Sequence, residues 1–285
     1  MKIGLLGYGY TANFFAQRLV ALGHDVWGTS RNPSIIKQPN ITIINFDLTE
    51  IIAALQQTTH LLISIPPNNT GKDPCLDLLD EVLISHKNQF QWIAYLSSTG
   101  VYGDHHGQWV DENSSCNANS FRNKYRRQVE QAWLANYHLH HLPIIIFRLA
   151  GIYGPNRNSI ARLHKGKRTS VYKKDLFFSR IHVLDICEAL LQSIYKPMLG
   201  EVFNLADDMP CNPYDVDCYA AKLLEISAPQ AIDANDASLS TMAKSFYISN
   251  KKVSNTKMKK FLLPKLLYSN YKIGLRALLN TETNL

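Results

Sequence analysis

Short apolar runs alternate along the chain with stretches whose apolar positions recur every three or four residues. Ile3–Leu6 is a run of strand type. Ala12, Phe15, Ala16, Leu19 and Leu22 then fall at helical spacing, and Gly23 sits where a C-cap glycine belongs. Further runs of strand type lie at Val26–Thr29, Ile41–Phe46, Leu61–Ile65, Ile93–Ser97 and Ile144–Phe147. Helical spacing appears between several of them, at 50–57, 74–86 and 120–137. The runs are apolar throughout, which predicts strands buried on both faces. The alternation predicts an α/β fold, a Rossmann doubly wound parallel sheet covered by helices on both sides. Past Arg148 the rhythm weakens. The segment 152–179 is polar and basic and reads as surface loops with a short helix. Val183–Tyr195 reads as a helix and Val202–Leu205 as a strand, so the chain is expected to return to the sheet at about 180–207. The division this predicts is a core domain over 1–151 with that return. A small C-terminal substrate lobe is built from 152–179 and 208–285.

Composition adds bounds. Hydrophobic residues make up 46% of the 285 and charged residues 19%, the balance of an ordinary globular chain. The net charge of +7 is spread out. Its densest cluster, Lys251, Lys252, Lys257, Lys259 and Lys260, has no interleaved aromatic platform, so it points to a solvated face or a small anionic ligand rather than to nucleic acid or a membrane. The five cysteines form no Cys-x-x-Cys pair and are odd in number, so neither disulfides nor a metal site is expected. The start is too short and too glycine-rich for a signal peptide, and no run of about 18 apolar residues occurs. A soluble cytoplasmic protein, monomer or homodimer, acting on a small molecule is the expectation.

The chemistry begins at Gly7-Tyr8-Gly9-Tyr10-Thr11-Ala12, a G-x-G-x-x-A match lying directly between the first strand and the first helix. Gly7 allows the tight turn, Gly9 lets backbone approach a pyrophosphate, and Ala12 lets helix pack close to strand. The first turn, with Tyr10 and Thr11, offers N–H groups and the positive end of the dipole. This context predicts a bound nicotinamide dinucleotide. The second strand ends in Thr29-Ser30-Arg31, about twenty residues beyond Gly9, where a carboxylate would bind the ribose of NAD. A guanidinium with hydroxyls suits a 2′-phosphate, so NADP is favoured over NAD. Asp25 precedes that strand and falls at its wrong end. Asp47, in Phe46-Asp47-Leu48, can accept from the adenine amino group, cap the next helix, or both. Ser64, Ile65 and Pro66 begin a loop, stiffened by two prolines, that passes the cofactor.

These pieces resemble the extended or atypical short-chain dehydrogenase/reductase superfamily, in its NAD-dependent epimerase/dehydratase branch. The resemblance rests on the glycine loop together with Leu96-Ser97-Ser98-Thr99-Gly100-Val101-Tyr102-Gly103, Arg148-Leu149-Ala150-Gly151-Ile152-Tyr153-Gly154-Pro155, Arg180-Ile181-His182-Val183-Leu184-Asp185 and Val202-Phe203-Asn204-Leu205-Ala206-Asp207. It implies a catalytic Ser at Ser98 and a Tyr-x-x-x-Lys pair on the helix near 120–137. That pair is missing there. Registering Glu130 on the family's helix glutamate puts Arg126 at the Lys site and Arg122 at the Tyr site. Arg126 can hold the nicotinamide ribose, but arginine cannot exchange a proton near neutral pH. Tyr125 is then the nearest proton donor, with Tyr102, His105 and His106 as looser candidates. Arg157, Arg162, Arg180 and His182 fall where the family binds substrate, which implies an anionic substrate such as a nucleotide-linked sugar, with Arg122 beside the reacting group. Structural pairing with acids such as Asp185 is the other reading. Two functions follow: an atypical NAD(P)-dependent oxidoreductase or epimerase, or a catalytically silent NADP-binding redox sensor.

Overall fold

All seven apolar runs become strands of one sheet. The structure, a computed structural model, describes residues 1–36, 38–240, 244 and 247–282. Strands β1 (Lys2–Leu6), β2 (Asp25–Ser30), β3 (Ile41–Asn45), β4 (His60–Ile63) and β5 (Trp92–Ser98) come first. After the short β6 (Trp109–Val110) follow β7 (Ile144–Leu149), β8 (Gly151–Tyr153), β9 (Thr169–Val171), β10 (Arg180–His182) and β11 (Val202–Leu205). The large sheet is parallel, in the order β11-β7-β5-β4-β1-β2-β3, with helices on both sides. The order reverses direction at β1, which puts a crevice beyond the carboxyl ends of β1 and β4. One expectation fails. β3 is the sheet edge and is half exposed along its length, because it has a neighbouring strand on one side only.

The helix starts are set by caps. In α1 (Tyr10–Ala21) the buried face is Ala12, Phe15, Ala16 and Leu19. In α2 (Leu48–Leu55) and α3 (Pro74–Ser85), Asp47 and Asp73 accept the first free backbone N–H groups, and Pro74 opens the first turn of α3. Next comes α4 (Phe121–His140), whose Val129 and Trp133 pack with Ile51, Leu79 and Leu83 over Ile63, Ile93, Tyr95 and Ile144. Trp133 is fully buried and lies stacked beside Tyr95 at 6.2 Å between ring centres.

The chain divides into two compact units. The first comprises 1–101, 121–148 and 187–203, the second 102–120, 149–186 and 204–285. This differs from the expected division. The segment 102–120 joins the second unit, and the return to the first spans 187–203. In the second unit α5 (Ser159–His164), α7 (Pro213–Leu223) and the helix Tyr271–Glu282 share a core of Ile160, Leu163, Val216, Ala220, Tyr271 and Leu275. Between α5 and α7 in sequence runs α6 (Val183–Tyr195). Strands β12 (Gln230–Ile232) and β13 (Lys252–Val253) pair with β9 and β6, and β10 pairs with β8. No helix among the described residues is long and apolar enough to cross a membrane, and no cluster of metal-ligating side chains forms there.

Candidate functional site

The glycine loop is held from beneath. Gly7 has a φ of 96°, and a Cβ there would lie 2.7 Å from Ile65 Cγ1 and 2.9 Å from Ser64 Oγ. The Gly7 N–H donates to Thr29 Oγ1 at 2.9 Å, Ser64 Oγ donates to the Gly7 carbonyl at 2.5 Å, and the Tyr8 N–H donates to the Thr29 carbonyl at 2.7 Å. Gly9 is the opposite case. A Cβ built on it meets nothing within 4 Å. It precedes α1 with no side-chain cap and no acidic residue in the first turn. The positive end of α1 therefore opens onto free space that a side chain at Gly9 would enter, which leaves room for an anion at the helix start. Thr11 and Ala12 lie on the buried face of α1, and Tyr10 packs edge-on to Phe14.

At the ends of the neighbouring strands the residue types are used differently from expectation. Thr29 is fully buried and its hydroxyl is engaged by Gly7, so it supports the loop and does not meet a 2′-phosphate. Ser30 Oγ accepts from the Asn32 N–H at 3.1 Å, turning the chain. Arg31 is exposed and remains the cationic residue at this strand end. Asp47 caps α2 through Oδ1, which accepts from Thr49 and Glu50 N–H at 2.9 and 3.2 Å, and exposed Leu48 lies next to it. This geometry is compatible with a second contact to adenine. Ser64 and Ile65 wall Gly7, while Pro66 is exposed at the start of a loop folded on Asn68. The Asn68 Oδ1 accepts from Thr70 N, Thr70 Oγ1 and Lys72 N at 2.9, 2.7 and 3.0 Å.

Ser98 ends β5 half-buried, and its Oγ accepts from the Gly100 N–H at 3.1 Å. Arg126 is buried in α4 and donates through Nη1 to the Leu96 carbonyl at 2.9 Å, so it lies at the same end of β5 as Ser98. Tyr125 turns toward the loop after β4. A Cβ on Gly71 would sit 2.6 Å from its ring, and the Phe121 ring is 6.2 Å away. Arg122 is exposed on the first turn of α4. The Tyr-x-x-x-Lys spacing, missing from α4, occurs at Tyr247–Lys251 and Tyr268–Lys272, neither of them on the helix that follows β5. The looser candidates are structural. Tyr102 is buried and donates to Asn204 Oδ1 at 2.7 Å, His105 bonds the carbonyls of Tyr102 and Ser115, and His106 pairs with Asp104. A buried charge cluster was not foreseen: Glu130 accepts from Arg148 Nη2 at 2.8 Å, from Arg127 Nη1 at 2.9 Å and from Ser97 Oγ at 2.5 Å.

In the second unit a cleft of about 400 Å³ is lined by Arg157, Arg162, Lys165 and Arg180, with the single acid Asp217. Asp217 is buried and satisfied by Arg162 and by Ser170 Oγ. The cleft is thus basic, and guanidinium groups on its wall suit phosphate or carboxylate. Arg157 is exposed on the turn before α5, and Arg180 is steadied by Nη1 donating to the carbonyls of Phe178 and Cys211 at 3.0 and 3.3 Å. His182 does not join them. It is buried between Tyr153 and Tyr268, with ring centres at 5.0 and 4.0 Å, and is missing from the cleft wall. Its Nδ1 accepts from the Leu184 N–H, and burial pushes its pKa down to about 4, so it is a neutral core residue and no anion ligand. Asp185 accepts from the N–H groups of Leu267 and Tyr268, at 2.6 and 3.1 Å. Asp207 carried no role in the sequence, since nothing in its spacing marks a buried acid.

The whole fold has known counterparts. A functionally unknown conserved protein from Silicibacter pomeroyi DSS is 40% identical, with 98% of each chain covered and a TM-score of 0.90. The dTDP-glucose 4,6-dehydratase of Bacillus anthracis str. Ames, solved in complex with NAD, is 17% identical over 100% of this chain and 97% of that one, with a TM-score of 0.81. The UDP-glucuronic acid 4-epimerase of Bacillus cereus, also with NAD, is 17% identical over 100% and 99%, with a TM-score of 0.78. No family model and no curated protein matches the chain.

Proposed function

The chain belongs to the family of the conserved Silicibacter pomeroyi protein and carries the fold of NAD-bound epimerases and dehydratases, and from that premise we propose that it is an NAD(P)-dependent oxidoreductase or epimerase of a small anionic carbonyl compound or nucleotide-linked sugar. The observation that carries this reading is the open cradle at Gly9, capped by nothing and floored by a lashed Gly7. When bound, the nicotinamide supplies hydride chemistry. The chain's own residues do the rest. The first turn of α1 holds the pyrophosphate, and Asp47 accepts from adenine. Arg126 anchors the ribose, and the Ser98 hydroxyl polarises the substrate carbonyl. Tyr125, near the start of α4, exchanges the proton, a role closed to arginine at neutral pH. Arg157 and Arg180, on the wall of the second unit's cleft, take the substrate's anionic group. The two related structures hold NAD, and NADP preference rests on Arg31 alone.

The test pairs binding with turnover. Cofactor titration should show saturable binding, and incubation with nucleotide sugars should show conversion. Tyr125→Phe should lower turnover by about 10²–10⁴ with cofactor affinity unchanged. A fully active Tyr125→Phe would reassign the proton donor. Tight cofactor binding with no conversion of any such substrate would favour the redox-sensor reading, for which the missing α4 pair is the supporting observation.

A further inference from the structure

The roles above leave one buried acid of the second unit unused. Asp207 follows β11 and is 1% exposed. A single donor reaches its carboxylate, the Met209 N–H on Oδ1 at 3.1 Å, and Oδ2 is buried without a hydrogen-bond partner among the described residues. A carboxylate sealed in this way is costly as an anion unless a cation compensates it. The groups that act on it can be named. Asp208 is engaged by Lys259 at 2.9 Å and Asn255 at 2.8 Å, and Asp185 is held by two backbone N–H groups. The Tyr153 phenol stays protonated because burial raises it, and burial pushes the Cys211 thiol up to about 11. The cation is Arg180, whose carbonyl accepts the Asp207 N–H at 2.6 Å and whose side chain lines the basic cleft.

We propose that Asp207 is the proton-binding partner of that cleft, taking up a proton when an anion binds at Arg180 and releasing it when the anion leaves. The inference rests on the reading of the cleft as an anion site. The argument is electrostatic. An anion on Arg180 offsets the positive charge that favours the Asp207 carboxylate, so the proton affinity of Asp207 rises. By reciprocity the anion must then bind more tightly to the protonated site. Burial already lifts Asp207 to about 7, with Arg180 pulling it back, so the exchange falls near neutrality. The sign is definite: anion affinity increases as pH falls through about 7 and decreases above it. His182, pushed down to about 4, is neutral across this window.

Calorimetric titration of the full chain with sodium sulfate tests this, since sulfate does not itself titrate between pH 6 and 8. At constant ionic strength, binding should be roughly 3–10-fold tighter at pH 6 than at pH 8. At pH 7 the apparent enthalpy should change with the ionisation enthalpy of the buffer, which reports proton uptake in the wild type without any variant. Asp207→Asn should bind sulfate with a flat pH profile and no uptake. Equal affinities at the two pH values, or uptake that persists in Asp207→Asn, would overturn the proposal while leaving the anion site intact. Sulfate that fails to bind at either pH, with Arg180→Ala changing nothing, would remove the anion reading and this proposal with it.

Discussion

Thr29 and Arg31 lie two positions apart, and both types suit a phosphate, yet one is sealed under the glycine loop and the other stands in solvent. The difference is made by tertiary context. The Thr29 hydroxyl satisfies the Gly7 N–H, a backbone donor that the turn would otherwise leave unpaired. NADP selectivity therefore has one side chain to rest on. Arg31→Ala should lower NADP affinity about tenfold, the worth of one charge-assisted contact, and leave NAD affinity unchanged by the same titration. Equal losses for both cofactors would show that Arg31 serves the fold or the pyrophosphate instead. The motif glycines were legible because their need for space is local, and the free volume above Gly9 and the crowding around Gly7 follow from it. His182 was not legible as a core residue. Its motif is basic, but the Tyr153 and Tyr268 rings that enclose it come from distant segments, and enclosure decides whether an imidazole is a cation.

At the scale of elements, unbroken apolar runs foretold the seven large-sheet strands and three-to-four-residue spacing foretold helices between them, because a strand buried on both faces is apolar throughout and a helix buries one face. Strands of two or three residues, such as β6, β9 and β13, show no period at all, so 152–179 read as surface loops with a short helix and β9 was missed. Burial also hid the purpose of Glu130. It marked the register of α4 in the sequence, and in the fold it is the acid that ties α4 to Arg148 of β7 and Ser97 of β5. Glu130→Ala should destabilise the protein by about 3–5 kcal/mol in urea unfolding, because the buried Arg148 guanidinium would lose the carboxylate that compensates its charge. A loss below about 1 kcal/mol would mean that water reaches Arg148 in the variant.

For the whole molecule, the cofactor face and the basic cleft belong to different compact units, each with its own core. The sequence placed the boundary at 151, whereas the division follows packing and sends 102–120 and 149–186 to the second unit. Cofactor binding should register as stability of the folded chain. At about 100 times Kd, NAD should add about 2.7 kcal/mol, seen as a raised unfolding midpoint. Gly9→Val should lose that gain and keep its own midpoint near the wild-type value, since the backbone there is unstrained and the space above it is open. A variant that still gains stability from NAD would move the pyrophosphate elsewhere. The lashing of Gly7 by Thr29 and Ser64 also has a kinetic side. A turn tied down at folding has little conformational search left to make on meeting a ligand, so any difference in affinity between NAD and NADP is expected to appear in the dissociation rate rather than in the association rate.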